Sequence, residues 1–276
     1  MESERTDPSF RLRNGFAREA DLGDPTLLSW CVRCRDEIEL LGTGDVLGWS
    51  RRWEYPYILS NLPPDGAGRE ILDAGSGHTF LPLLLAKMGY SVEAADLAAS
   101  TGTRLRSAAR RQGLLVDFSV QNLERSSLAD GSKDLIVCVS VLEHTQDPAR
   151  VIGEFERILR PGGRLVLTFD VSVDGQRRIS VQQTREIVSL VERYFGSGRL
   201  FSDDGLLDDD RLRDATGLLR TRTVLRDQPQ LLPWRRISRA GLRNILRGSM
   251  RRPFFDLAVI GLTVDKPTPG EGAASG

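Results

Sequence analysis

The chain has 276 residues, with 38 lysines and arginines against 38 aspartates and glutamates. That length suits one elaborated domain with a sizeable core, and the even charge balance gives no general electrostatic case for a nucleic-acid partner. No apolar run reaches membrane-spanning length, the charged start Met1 to Asp7 lacks a signal peptide's apolar centre, and three cysteines are too few for a disulfide framework, so a cytoplasmic protein is expected.

Met1 to Asn14 is polar and is expected to fray. From Thr26 to Leu41 the apolar residues Leu27, Leu28, Val32, Ile38, Leu40 and Leu41 suggest a helix with an imperfect stripe. Cys31 and Cys34 lie inside it. A lone CxxC can be half a zinc site or a redox pair, but no second pair of ligands stands nearby, so no metal is expected.

Gly42 and Gly44 break that helix. The stretch from Trp49 to Leu59 then holds two tryptophans, two tyrosines and two arginines, dense for a chain with 7% aromatics. It reads either as an aromatic helix face on the core or as a lid over a ligand. In the lid reading Arg52, Trp53 and Tyr57 are substrate contacts, with an arginine available for a carboxylate. Asn61 to Gly68 is a Pro/Gly linker. It divides an N-terminal helical extension, residues 1–68, from a main α/β unit over residues 69–265.

The main unit opens on the stretch that organises the chain, Ile71-Leu72-Asp73-Ala74-Gly75-Ser76-Gly77-His78-Thr79-Phe80. It reads as a strand end, a glycine turn and a helix over Phe80 to Met88, with Thr79 as cap, Pro82 in the first turn and Gly89 as stop. Gly75 and Gly77 allow positive φ and let a ligand approach the backbone. A dinucleotide fingerprint needs a third glycine where Phe80 stands, so an adenosine ligand without a pyrophosphate fits better.

Ser91 to Asp96 is a second strand ending in an acid, 21 residues after Gly75, placed to accept ribose hydroxyls. A basic helix follows over Ala99 to Gln112. Val116 to Val120 is a third strand, and Asn122 behind it offers an amide to an adenine edge. Asp134 to Ser140 is apolar enough for a central strand buried on both faces and opens into Leu142-Glu143-His144. Asp147 and Pro148 start a helix with one apolar face, Val151, Ile152, Phe155, Ile158 and Leu159; Pro161-Gly162-Gly163 ends it. Arg164 to Asp170 is a fifth strand, and Ile187 to Tyr194 marks a further helix.

Beyond Gly196, Asp203-Asp204 and Asp208-Asp209-Asp210 read as a solvated loop or, less simply, a metal site. The arginine-rich stretch near residues 220–252 is a basic insertion in which Ile237, Leu242, Ile245 and Leu246 make one helix face. Phe254 to Val264 is a late strand, and residues 266–276 are a disordered tail. Alternating strands and helices predict a doubly wound, mostly parallel sheet. Asp73 to His78, Asp96, Asn122, Ser140 to His144 and Asp170 all fall at its carboxyl edge, where ligands sit.

Asp73-Ala74-Gly75-Ser76-Gly77, Asp96, the strand running into Leu142-Glu143-His144, and Leu159-Arg160-Pro161-Gly162-Gly163 occur in the order and spacing of a known family. Over Arg69 to Asp170 the chain resembles the class I S-adenosylmethionine-dependent methyltransferases, in the branch that modifies small molecules. The resemblance implies a Rossmann-like seven-stranded sheet whose last strand is antiparallel, with Phe254 to Val264 as that strand or its neighbour. It implies S-adenosylmethionine contacts at Asp73, Ala74, Gly75, Ser76, Gly77, Asp96, Leu97, Asn122, Leu123 and Ser140. Asn122 stands where many relatives carry an aspartate, and it keeps an acceptor oxygen for the adenine amine.

A methyl acceptor that must lose a proton needs a base. The only two histidines, His78 and His144, both fall at the site edge, and imidazole suits neutral-pH proton transfer. His144 is the expected base, with Glu143 or Asp170 as alternatives; His78 and Asp170 are placed with the acceptor. The expected reaction is methyl transfer to oxygen, nitrogen or carbon of a small molecule, possible in bacterial biosynthesis. A non-catalytic binding or scaffold protein of the same fold is the alternative. Phe80 argues against a nicotinamide-dependent oxidoreductase. The basic segment leaves an RNA or DNA methylase open as a further alternative, although the aromatic-proline signature that amino-group nucleic-acid methylases carry is missing after the fourth strand.

Overall fold

The apolar runs at Ile71, Val92 and Leu135 lie side by side as parallel strands, because each must bury both of its faces. The computed structural model describes residues 12–41, 47–175, 179–196, 200–228 and 255–268. Its strands are β1 (Gly15–Phe16), β2 (Glu70–Ala74), β3 (Ser91–Asp96), β4 (Asp117–Val120), β5 (Lys133–Val139), β6 (Leu159–Ser172) and β7 (Leu257–Asp265). They form one seven-stranded sheet in the order β1-β7-β6-β5-β2-β3-β4. β2 to β6 are parallel, and β7 runs antiparallel to β6 and to β1. β2 lies between β3 and β5, so the chain changes direction of winding between β2 and β5. The crevice at their carboxyl ends is where a doubly wound sheet binds ligands.

Helices cover both faces. On one side α1 (Pro25–Leu41), α2 (Arg51–Asn61), α3 (Leu81–Lys87), α4 (Ala99–Arg111) and α8 (Thr221–Asp227) share a core with Ile71, Leu135 and Val137. On the other, α5 (Pro148–Ile158), α6 (Val181–Phe195) and α7 (Asp209–Asp214) share a core with Leu72, Ile136 and Cys138. Neighbouring residues of one strand thus enter opposite cores, as the two-residue strand period requires. Among the described residues no helix is long and apolar enough to cross a membrane.

The late strand is β7, antiparallel as expected. The seventh strand is β1, drawn from the stretch just after the segment expected to fray. Phe16 is fully buried, edge-on to Phe201 at 5.7 Å. Asn14 is fixed rather than frayed: its Oδ1 accepts from Tyr57 Oη and Thr263 N, both at 2.8 Å. Asp203 is neither a metal ligand nor a solvated loop residue. It is buried, accepts from Phe16 N at 2.9 Å and pairs with Arg18 at 2.6 Å, so it fastens β1. Asp208 caps α7 by accepting from Arg211 N. Among the described residues no cluster could hold a metal ion.

Other boundaries moved for local reasons. α5 begins at Pro148 with Asp147 as cap, but it stops at Ile158. Pro161 to Gly163 lies inside β6, where the register against β5 shifts between Lys133 and Leu135. A Cβ on Gly163 would stand 2.8 Å from Arg160 O and 2.9 Å from Asp134 O, so this bulge needs glycine. Lys266, expected in the disordered tail, donates to Glu156 O and Leu159 O. Arg220, expected at the head of the basic insertion, is buried against Asp256. Ile237, Leu242, Ile245 and Leu246 lie outside the described residues, as do residues 269–276.

α2 decides between the two readings of the aromatic stretch. Trp53 and Tyr57 stack at 4.7 Å and press on β7 at Gly261, where a Cβ would meet Tyr57 at 2.6 Å. Pro56 has no N–H to give the Arg52 carbonyl. The Cys31 thiol donates to that carbonyl instead, at 3.0 Å. Burial pushes the Cys31 thiol up to about 11 and raises Cys34 as well, so both sulfurs stay protonated. Cys34 lies in the core and Cys31 packs against it, so both serve the packing of α1 on α2.

Candidate active site

The glycine turn is built as its sequence demands. Gly75 and Gly77 have φ of +77° and +54°, and Gly75 N and Ser76 N both donate to Ala95 O at the end of β3. A Cβ on Gly75 would stand 2.5 Å from Val141 Cγ2, so the loop after β5 seats directly on the turn. Thr79 does not cap α3; its hydroxyl donates back to Ser76 O at 3.0 Å. Phe80 is fully buried and meets Tyr55 of α2 edge-on at 4.8 Å, which packs α2 against the start of α3.

Above the turn lies a cavity of about 530 Å³. Asp73, Gly75, Ser76 and Gly77 form one wall; Asp96, Leu97, Asn122 and Leu123 form another. Ser140 and His144 face them from the end of β5 and the loop behind it. Ala74 is buried in β2 and does not line the cavity. Asp96 is held by backbone: Oδ2 accepts from Gly77 N at 3.0 Å and Oδ1 from Ala98 N at 2.8 Å. Each oxygen keeps a lone pair for a hydroxyl donor. Asn122 Oδ1 accepts from Glu124 N, so one lone pair of the oxygen expected to face adenine is already used.

The substrate expectations fare differently. Trp53 and Tyr57 lie in the core rather than on the cavity, because their face of α2 is the one that packs on β7. Arg52 points to Gln228, 3.4 Å away, and His78 is exposed at the turn without lining the cavity. α2 turns Arg51 and Tyr55 inward instead. Helical spacing contained that signal: Arg51 and Tyr55 are four apart on one face, Trp53 and Tyr57 four apart on another. Thr145 and Gln146 also line the cavity, as does Glu124, and no motif marked them.

A charged cluster lies beside the cavity. Arg51 Nη1 donates to Glu54 Oε2 at 3.0 Å, and its guanidinium stands 5.5 Å from the Tyr55 ring centroid. Burial alone would lower Arg51; the carboxylates of Glu54, Asp170 and Glu143, with Tyr55, outweigh it and hold the guanidinium firmly charged. Glu143 Oε2 is buried without a hydrogen-bond partner. Burial first, then the neighbouring Asp170 and Glu54 carboxylates, raise Glu143 well above the usual range. Neither Glu143 nor Asp170 lines the cavity itself.

Two polar atoms on the cavity wall have no partner, Asp73 Oδ2 and Ser76 Oγ, on residues only 2% and 3% exposed. Buried polar groups are normally satisfied, so both atoms have hydrogen-bonding capacity to spare on the cavity side. Burial pushes Asp73 up to about 7, the Asp96 carboxylate adds to the rise, and Arg51 opposes it. A cationic ligand favours the ionised form. Binding of S-adenosylmethionine is therefore expected to tighten about tenfold from about pH 6 to about pH 8 and to lose that dependence in Asp73→Asn, read by calorimetry. Without ligand the sign reverses: the raised value stabilises the fold at low pH, and this contribution fades as pH rises toward 7.

Residues 72–167 match the methyltransferase domain family. The ubiquinone biosynthesis O-methyltransferase of Xanthomonas axonopodis pv. citri is 35% identical over 113 residues, 41% of this chain and 46% of that relative. The chain thus matches about half the length of that relative. Among solved structures, geranyl diphosphate methyltransferase in complex with GPP and sinefungin superposes with a TM-score of 0.51 at 18% identity, over 94% of this chain and 91% of the other. The cyclase SpnF gives 0.50 at 17% identity, over 94% and 88%. These two share the fold. The matched residues 72–167 run from β2 into β6, through the switch point of the seven-stranded sheet.

Proposed function

We propose that this chain transfers a methyl group from S-adenosylmethionine to a small molecule, with a hydroxyl oxygen as the first acceptor atom to test. The observation that carries this is one cavity at the switch point holding both a ribose-type acid, Asp96, and the unsatisfied Asp73 carboxylate. The acceptor atom follows the O-methyltransferase names of the similar relatives. Bound S-adenosylmethionine supplies a methyl group on a sulfonium that already has its leaving group.

The chain's residues then bind, orient and exclude water. Asp96 accepts the ribose hydroxyls, and Leu97 and Leu123 flank the adenine, with Asn122 at its edge. Asp73 and Ser76 take the amino-acid end. Arg51 offers its fork to a carboxylate, a role the sequence reading left to an arginine of this stretch. His144 removes the acceptor proton, with Glu143 and Asp170 behind it. In this reading residues 1–68 are the extension that completes the pocket, through α2, for the unit over residues 69–265.

Calorimetric titration with S-adenosylmethionine and S-adenosylhomocysteine, alongside Asp96→Ala, tests the proposal. Saturable binding is expected, weakened roughly 10- to 100-fold in the variant by lost hydrogen bonds to a charged group. A wild type that binds neither compound would sink the enzymatic reading and favour a non-catalytic scaffold.

A further inference from the structure

Glu54 is fully buried, yet it is a carboxylate on the helix that belongs to the N-terminal extension. Two of its three partners, Arg51 and Ser140, line the cavity, and the third, Thr168, is buried in β6. Oε1 accepts from Ser140 Oγ at 2.5 Å and from Thr168 Oγ1 at 2.8 Å; Oε2 accepts from Arg51 Nη1 at 3.0 Å. Ser140 has φ of +51°, the one non-glycine residue of positive φ among the described residues. Such a conformation persists only where surroundings hold it. Here Ser140 N donates to Thr168 O, the hydroxyl is tied to Glu54, and the next residue, Val141, seats on Gly75.

A burial of this kind is costly, and the same space could hold an apolar side chain that packs α2 on the sheet equally well. What an apolar residue could not do is fix the direction of Arg51. Arg51 also faces Asp170 and Glu143, either of which could draw it away from the cavity. One short contact to Glu54, three residues along the same helix, keeps the guanidinium at the cavity wall.

We propose that Glu54 is a positioning residue: it aims Arg51 at the amino-acid end of the cofactor and pins Ser140 at the end of β5, so that the N-terminal helix sets the shape of that end of the pocket. This rests on the cofactor reading above. Glu54→Gln separates the two arms. The glutamine oxygen still accepts from Ser140 and Thr168, but its amide nitrogen faces Arg51, donor against donor. Thr168→Val removes one hydroxyl and leaves the Arg51 contact intact.

The probes are S-adenosylhomocysteine and 5′-methylthioadenosine, which keeps the nucleoside and sulfur but lacks the amino-acid part. Titrations and thermal unfolding are run on the full chain. Glu54→Gln is expected to weaken S-adenosylhomocysteine about tenfold or more while 5′-methylthioadenosine stays within about twofold; Thr168→Val should hold both within about twofold. Glu54→Asp, which keeps the charge but withdraws it by one methylene, should show the same split as Glu54→Gln and carries the test if the glutamine variant does not fold. Equal losses for both probes, or an equal loss in Thr168→Val, mean that Glu54 acts only through stability and overturn the proposal. So does unchanged binding of both probes in the Glu54 variants. Absence of S-adenosylhomocysteine binding by the wild type overturns the cofactor reading instead.

Discussion

His144→Gln is expected to lower methyl transfer to a hydroxyl acceptor by about 100-fold or more, while the dissociation constant for S-adenosylmethionine stays within about twofold. His144 ends the short turn Leu142–His144 that follows Ser140, and its N–H donates to Val141 O at 2.8 Å. That bond and the seating of Val141 on Gly75 hold the turn over the cavity. Glutamine keeps similar length and hydrogen bonding but cannot take a proton. The loss should therefore appear in turnover and not in cofactor binding. The assay follows labelled methyl groups from S-adenosylmethionine into small hydroxylated acceptors. Glu143→Gln is the necessary partner experiment, because Glu143 holds its proton well above the usual carboxylate range and precedes His144 in the same short turn. Full turnover in His144→Gln across the pH range, with loss in Glu143→Gln, moves the base to Glu143.

The glycine-turn wall of the cavity was legible because its constraints are local. A turn with two positive-φ residues needs glycine, and Gly75 and Gly77 are separated by one residue in the chain. An acid closing the next strand of a parallel pair must come beside that turn, as Asp96 does through Gly77 N. The same holds for the order of strands, since each apolar run is a continuous segment. The other side of the cavity is made by a tertiary packing choice. Which face of α2 meets the sheet depends on Gly261, more than 200 residues away, leaving room for Trp53 and Tyr57. Arg51 and Tyr55 reach the cavity only because that room exists. β1 was illegible for a related reason: two residues carry no period, and their partners Gly261 and Ile260 and their anchor Asp203 lie far along the chain.

The arginine-rich stretch shows how composition misleads when a partner is distant. Arg220→Ala is expected to destabilise the fold by about 3–5 kcal/mol, the usual consequence of leaving one member of a buried ion pair alone. Arg220 is 4% exposed and Asp256 2%. The guanidinium meets both Asp256 oxygens and also donates to Leu212 O at 3.1 Å and Arg213 O at 2.9 Å. Thr221 beside it donates to Phe255 O and accepts from Leu257 N, so α8 and the start of β7 are fastened at two successive residues. Removing Arg220 leaves the Asp256 carboxylate buried with, among the described residues, only the exposed Arg222, at 3.5 Å, for charge. For a chain of this size the melting temperature should fall by roughly 6–20 °C. Arg220→Met combined with Asp256→Leu should recover much of that loss, because an apolar pair leaves no buried charge unpaired. A single variant that melts with the wild type would show that water reaches Asp256 and that the pair is not what closes α8 onto β7. If the prediction holds, the residue that heads the basic run in sequence belongs to the core in function, and only the arginines after it remain for an acceptor or partner.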